Sequence, residues 1–229
     1  MVKQQQSSSH AGLFETVASQ AALLGSPARL KILLLLAQSP RSVEALALET
    51  RESVANTSQH LKKLREGELV NVERSGVSRI YRLADERVAL VVETLFDLAE
   101  LRSTAYREAS RLLVGQEELS PLSVEQMRRE IQEDRAVLID VRDTVESCET
   151  PVSGAVSIPL GELEAELIKL SRTKTYFVVC RGRACGQATQ GVRLLRKKGL
   201  QAYRVKESPA ALRLKARSLL ASKPRKDTT

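Results

Sequence analysis

The chain has no cysteine before Cys148, and its only histidines are His10 and His60. Thiolate ligands for a soft metal are therefore excluded from the first 147 residues, and we expect neither a metal nor a cofactor. No run of about 18 apolar residues occurs, so no membrane span is expected. The polar residues 1–10 lack the apolar stretch of a secretory signal. Three cysteines, an odd number in 229 residues, argue against a disulfide scaffold and for a reducing cytoplasm.

Length and charge divide the chain into two parts. A chain of 229 residues suits two ordinary domains better than one. The formal net charge is +8, with 15 Lys and Arg against 13 Asp and Glu through Gly115, and 21 against 15 from Gln116 onward. The basic excess thus lies in the second part, which includes the basic tail Arg213 to Lys226. The overall charge does not locate a DNA-binding surface.

The first part is predicted to contain short helices followed by a β-hairpin. Apolar residues recur at helical spacing from Leu13 to Leu24, and Gly25 can end this helix. Ser53 is the expected N-cap of the fourth helix and Gly67 its stop. Alternating residues flank a glycine turn, as in a hairpin. The other predicted elements are helices 28–37, 43–49, 54–66 and 86–113, and strands 69–74 and 79–83.

Helix 54–66 has one face suited to DNA. Its apolar face carries Val54, Thr57, Leu61 and Leu64, whereas short polar and basic side chains lie away from that face. Short hydrogen-bonding side chains followed by lysines suit a helix in the major groove with phosphates at its flank. A small α/β domain without a DNA partner would account for the same pattern. The candidate DNA-binding residues are Asn56, Ser58, Gln59, Lys62 and Lys63 on this helix and Arg74, Arg79 and Arg82 on the hairpin.

Residues 27–33, residues 54–70 and the Arg-Ser-Gly hairpin resemble the ArsR/SmtB family over about Phe14 to Leu101. Members of that family are dimeric winged-helix repressors, so the resemblance implies double-stranded DNA as a partner and a homodimer. Gln59 stands where the family often has arginine. By the resemblance, the groove-reading end of the recognition helix comprises Ser53, Asn56, Ser58 and Gln59.

The resemblance also bears on metal sensing and on the dimer. Many members sense metals through a cysteine pair on the third helix, where residues 41–46 of this chain contain no cysteine. The family pairs its first and last helices at the dimer interface, and helix 86–113 has a long apolar side that suits this role. Ordinary core packing is the alternative for that side. Two-fold symmetry would place two recognition helices about one DNA turn apart.

The second part contains a cysteine loop between a strand and a helix. From Ser123 onward, strands and helices alternate as in an α/β fold. The apolar run 176–179 ends at Cys180, a loop with two glycines and two arginines follows, and residues 187–198 form a helix. Backbone amides and the positive helix end then point into one concavity. We therefore expect Cys180 to hold its proton weakly and to be a good nucleophile.

Residues 138–142, 153–160 and 180–185 resemble, in this order, the rhodanese (sulfurtransferase) domain over about Leu122 to Leu214. The resemblance implies that Cys180 attacks the outer sulfur of an anionic donor, thiosulfate or a persulfide, and becomes a persulfide that a second thiolate takes. Loop amides would hold the anionic sulfur, the loop arginines would attract the donor, and Asp140 and Arg142 would organise the loop. The candidate site comprises Cys180, Arg181, Gly182, Arg183, Ala184, Cys185, Gly186, Asp140 and Arg142.

Several alternatives remain open for this site. Cys180 could be a small buried core residue. Cys185 either resolves a Cys180 persulfide into a disulfide or packs under the loop, and Cys148 has no assigned partner. Residues 151–155 and 206–209 depart from the family pattern, which alters the wall of the pocket and leaves the nucleophile in place.

These patterns predict a mainly-α winged helix-turn-helix followed by an α/β rhodanese-like domain with a mostly parallel sheet. The first functional hypothesis is a cytoplasmic, dimeric DNA-binding regulator in which Cys180 senses or transfers reactive sulfur. The second is a sulfurtransferase enzyme that the winged helix dimerises or localises, and the third is a degenerate rhodanese domain that only binds proteins. The predicted boundaries are a disordered tail 1–12, a DNA-binding and dimerisation domain 13–114, a linker 115–121, a rhodanese-like domain 122–214 and a basic flexible tail 215–229.

Overall fold

The computed structural model describes the backbone of residues 2–76, 78–115 and 119–221, and the side chains of residues 12–76, 78–115 and 119–215. The chain forms two compact units, Met1–Val92 and Glu93–Thr229. The division falls inside one helix, α5 (Glu86–Arg102), so this helix contributes residues to both units. Residues 116–118 of the predicted linker and residues 222–229 of the predicted basic tail lie outside the described part.

The first unit is built on four helices, α1 (Val2–Leu24), α2 (Pro27–Leu36), α3 (Val43–Thr50) and α4 (Val54–Glu66). Serine side chains cap three of them: Ser26 accepts from the Arg29 amide, Ser42 from that of Ala45 and Ser53 from that of Asn56. Each cap satisfies an amide that the first helical turn leaves without a partner. The buried core between these helices is formed by Ile32, Leu33, Leu46, Leu61 and Leu64.

A three-stranded antiparallel sheet completes the first unit. Strands β2 (Val70–Ser75) and β3 (Ser78–Leu83) form the predicted hairpin, and Gly76 in its turn has a φ of 61°. A left-handed φ of this kind favours glycine. The short strand β1 (Arg41–Ser42) pairs with β3, so the strand order is β1-β3-β2. Two residues are too few to show a period of two, which is why the sequence pattern predicts no strand there.

Two helix boundaries differ from the sequence-based prediction. Helix α1 begins at Val2 and so includes residues for which we expected a disordered tail. The predicted helix 86–113 is wrong as one element, because it is divided into α5 and α6 (Thr104–Val114). Ser103 lies between them in an extended conformation and accepts a hydrogen bond from the Tyr106 amide at 3.1 Å. A side chain that caps the second helix competes with the backbone hydrogen bonds that would continue the first helix.

The second unit contains a parallel sheet of strand order β5-β4-β6-β7. The strands are β4 (Ala136–Asp140), β5 (Ala155–Ser157), β6 (Thr175–Val179) and β7 (Gln201–Arg204). Leu119 forms an isolated parallel bridge with Arg204, and the Ser120 amide donates to the Arg204 carbonyl at 2.9 Å. The end of the predicted linker therefore extends the sheet edge. The helices of this unit are α7 (Val124–Gln132), α8 (Thr144–Glu149), α9 (Leu163–Glu166), which continues as a short 3₁₀ turn, α10 (Gln187–Lys197) and α11 (Pro209–Ala221).

Two apolar cores cover the two faces of this sheet. One packs Val178, Cys180 and Val192 together, and the other packs Met127, Phe177 and Leu212. Helices thus cover both faces, as parallel sheets require. Within the described residues, no helix has the length and apolar character needed to cross a membrane.

Candidate functional site

The candidate loop begins where β6 ends. Strands β4 and β6 are in register up to Asp140 and Val179, so both end at the same carboxyl end of the sheet. Cys180 comes directly after Val179. The Cys180 side chain is fully buried, and its Sγ lies 3.5 Å from the carbonyl oxygen of Cys185. The loop therefore curls around the cysteine and carries the chain into α10 at Gly186.

Gly182 allows the loop to fold so tightly. Its φ is 106°, a conformation that side chains rarely adopt. A Cβ atom at this position would lie 3.1 Å from Cβ of Ser208, which is itself buried. The loop needs glycine here for two independent reasons, its backbone conformation and the close approach of the Ser208 segment.

The pKa values of the two hydrogen-bonded thiols, Cys180 and Cys185, are shifted in opposite directions. The pKa of Cys185 is lowered to about 6, chiefly because its thiolate accepts a hydrogen bond from the Cys180 thiol and also because the amides of Gln187 and Arg181 stabilise it. The pKa of Cys180 is raised by that same hydrogen bond and by burial. Our expectation that Cys180 holds its proton weakly is therefore wrong. The readily formed thiolate is that of Cys185, which is half-buried.

Arg181 is bound by Glu146 of α8 and by Asp143, the N-cap of that helix. Its guanidinium lies 2.8 Å from Oε1 of Glu146 and donates from Nε to Oε2 of the same residue at 3.0 Å. Glu146 is buried, and Asp143 lies 3.6 Å from Arg181. A buried carboxylate requires such a charge partner, so this ion pair fixes the loop against α8.

Asp140 and Arg142 anchor the C-terminal end of α8. Arg142 is completely buried and forms an ion pair of 2.6 Å with Asp140. Its guanidinium also donates to both the hydroxyl and the carbonyl oxygen of Thr150, at 2.8 Å each. The end of β4, the end of α8 and the loop are therefore joined through charged contacts.

Arg183 is bound by three carboxylates of α5. Its Nε lies 3.2 Å from Glu93, and its two terminal nitrogens bind Asp97 and Glu100. The three acidic residues follow each other at helical spacings of four and three, so they lie on one face of the helix. Both Arg183 and Glu93 are buried. Sequence reasoning missed these carboxylates, because nothing local relates a helix to a loop about ninety positions later.

Arg204 on β7 is a further candidate that the sequence analysis did not single out. Its side chain is 2% exposed, and within the described residues its Nε and Nη1 have no hydrogen-bond partner. Burial lowers the pKa of Arg204, and the negative charges of Cys180 and Cys185 act in the opposite direction. The available sequence signal was an arginine in the strand that closes the α/β pattern.

The predicted DNA-binding residues lie on α4 and the hairpin. Ser58, Gln59, Lys62 and Lys63 are exposed on α4, whereas Thr57, Leu61 and Leu64 face the core. Val54, expected on the apolar face, is 48% exposed. The side-chain amide of Asn56 donates a hydrogen bond from Nδ2 to Oε2 of Glu52 at 2.6 Å, and Arg82 forms an ion pair with Glu73 at 2.8 Å. Arg74 and Arg79 lie opposite each other in the hairpin and are exposed.

Comparison with known proteins agrees with this architecture. A family model described as "Bacterial regulatory protein, arsR family" matches residues 26–72, and a model of the rhodanese-like domain matches residues 123–209. The HTH-type transcriptional regulator Rv0324 of Mycobacterium tuberculosis is 32% identical over 209 residues, which cover 91% of this chain and 92% of that protein. The HTH-type transcriptional repressor SmtB of the same organism is 41% identical over 69 residues, 30% of this chain and 51% of its own.

Among solved structures, the homodimeric winged helix-turn-helix DNA-binding domain Mb0332 of Mycobacterium bovis is 36% identical, covers 42% of this chain and 88% of that chain, and has a TM-score of 0.39. The fold and the matched domains define a winged-helix transcriptional regulator that carries a rhodanese-like domain. The chain belongs to the arsR family of bacterial regulatory proteins. The fold class expected from the sequence is confirmed, and the assignment of individual site residues stays a prediction.

Proposed function

We propose that this protein is a dimeric, cytoplasmic repressor whose affinity for its operator depends on sulfur bound at Cys180. The observation that carries the proposal is the binding of Arg183, in the Cys180 loop, by Glu93, Asp97 and Glu100 of α5. Helix α5 follows the hairpin directly in sequence and begins in the first unit. A change in the loop therefore acts on a helix that continues the winged-helix fold.

The exposed apolar side chains of the first and last helices support the dimer. Leu13, Phe14 and Val17 of α1 are each more than half exposed, as are Leu98 and Leu101 of α5. Large exposed apolar faces mark interaction sites, and a second copy of this chain offers the same faces in return. Two recognition helices related by two-fold symmetry read half-sites about 34–36 Å apart.

The exposed residues of α4 would read the operator. Ser58 and Gln59 can reach base edges in the major groove, while Lys62 and Lys63 bind phosphates. Arg74 and Arg79 of the hairpin would bind the backbone beside the site. Like charges that lie opposite each other in an antiparallel pair are unfavourable, and a phosphate between these two arginines would relieve their repulsion.

Loading of Cys180 would begin with proton transfer inside the cysteine pair. The Cys185 thiolate takes the Cys180 proton while the Cys180 sulfur attacks the outer sulfur of thiosulfate. The sulfur–sulfur bond of the donor breaks, sulfite leaves with the bonding electron pair, and Cys180 carries a persulfide anion. An external thiolate can then remove the outer sulfur, or Cys185 can attack the inner sulfur and release hydrosulfide to form a disulfide.

A persulfide adds an atom and a charge to a closely packed loop. Cys180 is fully buried, and Gly182 packs so closely against Ser208 that an added methyl group would force the Ser208 segment to shift. The loop must shift to accommodate the added sulfur, and Arg183 shifts with it or exchanges carboxylates. We expect a coupling of about 1–3 kcal/mol between sulfur loading and DNA binding, which is the range of ordinary allosteric effects.

The sulfurtransferase hypothesis is the second candidate. It is favoured by the low pKa of Cys185, about 6, which supplies a base and an acceptor thiolate at neutral pH. Steady transfer of sulfur from thiosulfate to cyanide, with no operator binding, would support the sulfurtransferase hypothesis and refute the regulatory one.

The regulatory proposal is tested by operator-binding titrations before and after treatment with thiosulfate, with intact mass spectrometry on the same samples. We expect a mass increase of one sulfur atom on Cys180 and a change in operator affinity of about fivefold or more. Cys180→Ser should lose both changes. Cys148→Ser is the matched control because Cys148 is exposed and outside the loop, so it should retain both. A normal affinity change in Cys180→Ser would refute sensing by this residue.

A further inference from the structure

The face of the parallel sheet opposite Cys180 carries a cavity of its own. Leu138 of β4 points to this face, whereas the next residue, Ile139, packs in the same core as Cys180. The cavity has a volume of about 220 Å³ and is bounded by α7, β4, α11 and the loop that precedes β5. In the described part of the chain, its wall includes neither Cys180 nor Cys185. It is therefore separate from the site of the cysteine loop.

Most of the wall of this cavity is apolar. On α7, Val124, Met127 and Ile131 recur at spacings of three and four residues, so they lie on one face of the helix. Leu138 of β4 and Leu212 of α11 contribute further apolar side chains, and both are buried. Water against such a wall is displaced favourably by an apolar ligand.

Two arginines line the cavity among these apolar side chains. Arg128 comes four residues after Val124 and three before Ile131, so it shares their face of α7, and Arg213 follows Leu212 on α11. Both arginines are half-buried, as is usual for long side chains that pack their aliphatic stems on apolar surface. Among the residues that the structure describes, no aspartate or glutamate lines the cavity. The wall is therefore positively charged, which complements an anion.

The size of the cavity limits the ligand. Its volume of about 220 Å³ is far above the roughly 10–15 Å³ that one water molecule requires and below the roughly 300 Å³ at which pockets for drug-sized ligands begin. An organic molecule with one aromatic ring or a short acyl chain suits this volume better than a single inorganic ion. At Gly154 the wall is open, because a Cβ atom there would meet no atom within 4 Å.

The residues that follow α11 in the sequence do not match this cavity. Residues 222–229 carry Lys223, Arg225 and Lys226 against the single carboxylate of Asp227, and they include no leucine, isoleucine, valine, methionine or aromatic residue. Their positive charge is repelled by a positive wall, and they offer little apolar surface to a mostly apolar one. A separate molecule with an apolar body and a negative charge fits the cavity better.

We propose that this cavity binds a small amphipathic carboxylate, with its apolar body against Met127, Ile131 and Leu212 and its carboxylate at Arg128. A guanidinium group can donate two parallel hydrogen bonds to a carboxylate, which fixes the orientation of the ligand as well as its charge. Because the cavity lies outside the cysteine loop, this inference goes beyond the proposed function and does not depend on sulfur at Cys180.

The test uses full-length protein and two pairs of probes, octanoate with 1-octanol and benzoate with benzyl alcohol. Within each pair the apolar body is the same and only the carboxylate differs, while the two pairs distinguish a chain from a ring. Each probe is titrated calorimetrically at constant ionic strength. We expect the better-bound carboxylate to have a dissociation constant about tenfold or more below that of its alcohol, and Arg128→Gln to remove this difference. Arg172→Gln, the same change at an exposed arginine of the same unit, should preserve it.

A second variant fills the cavity. Ile131→Trp places a larger side chain at a half-buried position of the wall and should abolish binding of both the carboxylate and the alcohol. Ile168→Trp is the matched control, because Ile168 is 91% exposed and outside the cavity, and it should bind as the unaltered protein does. Thermal unfolding shows which variants are folded, and Arg128→Gln changes only a half-buried side chain.

Three results would overturn the proposal. The first is no measurable binding of either carboxylate to the unaltered protein, and the second is equal binding of the carboxylate to the unaltered protein and to Arg128→Gln. The third is a change in association state caused by Ile131→Trp in sedimentation equilibrium, which would assign this face to a contact between protein chains.

Discussion

The Nε of Arg183 lies 3.2 Å from the carboxylate of Glu93, and both side chains are buried. Glu93 is the first residue of the second unit and belongs to α5, the helix that begins in the first unit. The charged contact therefore ties the loop of Cys180 to one particular residue of the connecting helix. It joins the Cys180 loop and the part of α5 that belongs to the second unit in one network of ion pairs.

Replacement of Glu93 should separate sensing from sulfur loading. Glu93→Gln removes one of three carboxylates from a buried guanidinium, so we expect a loss of about 1–3 kcal/mol in the free energy of unfolding. Cys180 should still gain one sulfur atom from thiosulfate, while the change in operator affinity is reduced. Chemical denaturation, mass spectrometry and DNA titration measure the three effects. Glu108→Gln removes an exposed carboxylate of α6 and should change none of them.

The thiol pair should titrate in two well-separated steps. A lowered pKa means that the thiolate is present above it, so alkylation at Cys185 should have a midpoint near pH 6 and fall off as the pH drops further. In Cys185→Ser, burial still raises the pKa of Cys180, so its alkylation should require a pH above the ordinary thiol value of about 8.5. Rates of iodoacetamide labelling, assigned by peptide mass, give both midpoints. If alkylation of Cys180 in Cys185→Ser had its midpoint near pH 6, the assignment of the low pKa to Cys185 would be wrong.

Gly182→Ala should disrupt the loop. The new Cβ meets Ser208 at 3.1 Å, and the φ of 106° is strained for any side chain. We expect a loss of about 1–3 kcal/mol in stability, as for other residues held in rare backbone conformations, and little or no persulfide on Cys180. Gly161→Ala is the control, because a Cβ there would meet no atom within 4 Å. Thermal unfolding and intact mass compare the two variants, and equal behaviour would show that the loop adapts.

Two residues of α4 should affect DNA binding in different ways. Gln59→Ala should cost about 1–3 kcal/mol on the preferred operator and relax the preference at one base pair. Lys63→Ala should weaken binding to all sequences alike and reduce the slope of log affinity against log salt by about one. Binding titrations over a series of salt concentrations distinguish the two. Lys197→Ala, the same charge change on an exposed residue of α10, should leave the salt slope unaltered.

The dimer should depend on the exposed apolar side chains of α1 and α5. Leu101 is 74% exposed, and Leu101→Glu places a charge on the face that we assign to the interface. We expect the dimer to dissociate at concentrations where the unaltered protein is paired, and operator affinity to fall with it. Ile168→Glu provides the comparison, since Ile168 is 91% exposed outside these helices. Sedimentation equilibrium reports the association state, and a Leu101→Glu dimer of normal strength would place the interface elsewhere.

Local chemistry made much of the fold predictable from the sequence. The N-cap expected at Ser53 is confirmed, because the Asn56 backbone amide donates a hydrogen bond to the Ser53 side chain at 3.1 Å. Alternation and a glycine turn were enough to predict the hairpin, and its register follows from the turn. The order of strand, loop and helix around Cys180 was likewise visible in the chain.

What could not be predicted depends on residues distant in sequence. The partners of Arg183 lie on α5, and the lack of hydrogen-bond partners at Nε and Nη1 of Arg204 is a property of its whole surroundings in the described part of the chain. The direction of the pKa shift at Cys180 reverses because Cys185 is close enough to share its proton, a distance that spacing alone does not give. The break at Ser103 was missed because the apolar period continues on both sides of it.

The three carboxylates on α5 also restrict how the length of this helix can vary. Each residue of an α-helix turns the next by about 100°, so Glu93, Asp97 and Glu100 share one side only while the residues between them keep their number. Insertion of a single residue after Glu93 would rotate that carboxylate away from the other two and from Arg183. An insertion of seven residues would nearly restore the direction but would displace Glu93 by two helical turns. Helical phase, rather than amino-acid composition, is therefore the property of α5 that a relative with the same arginine contact must retain.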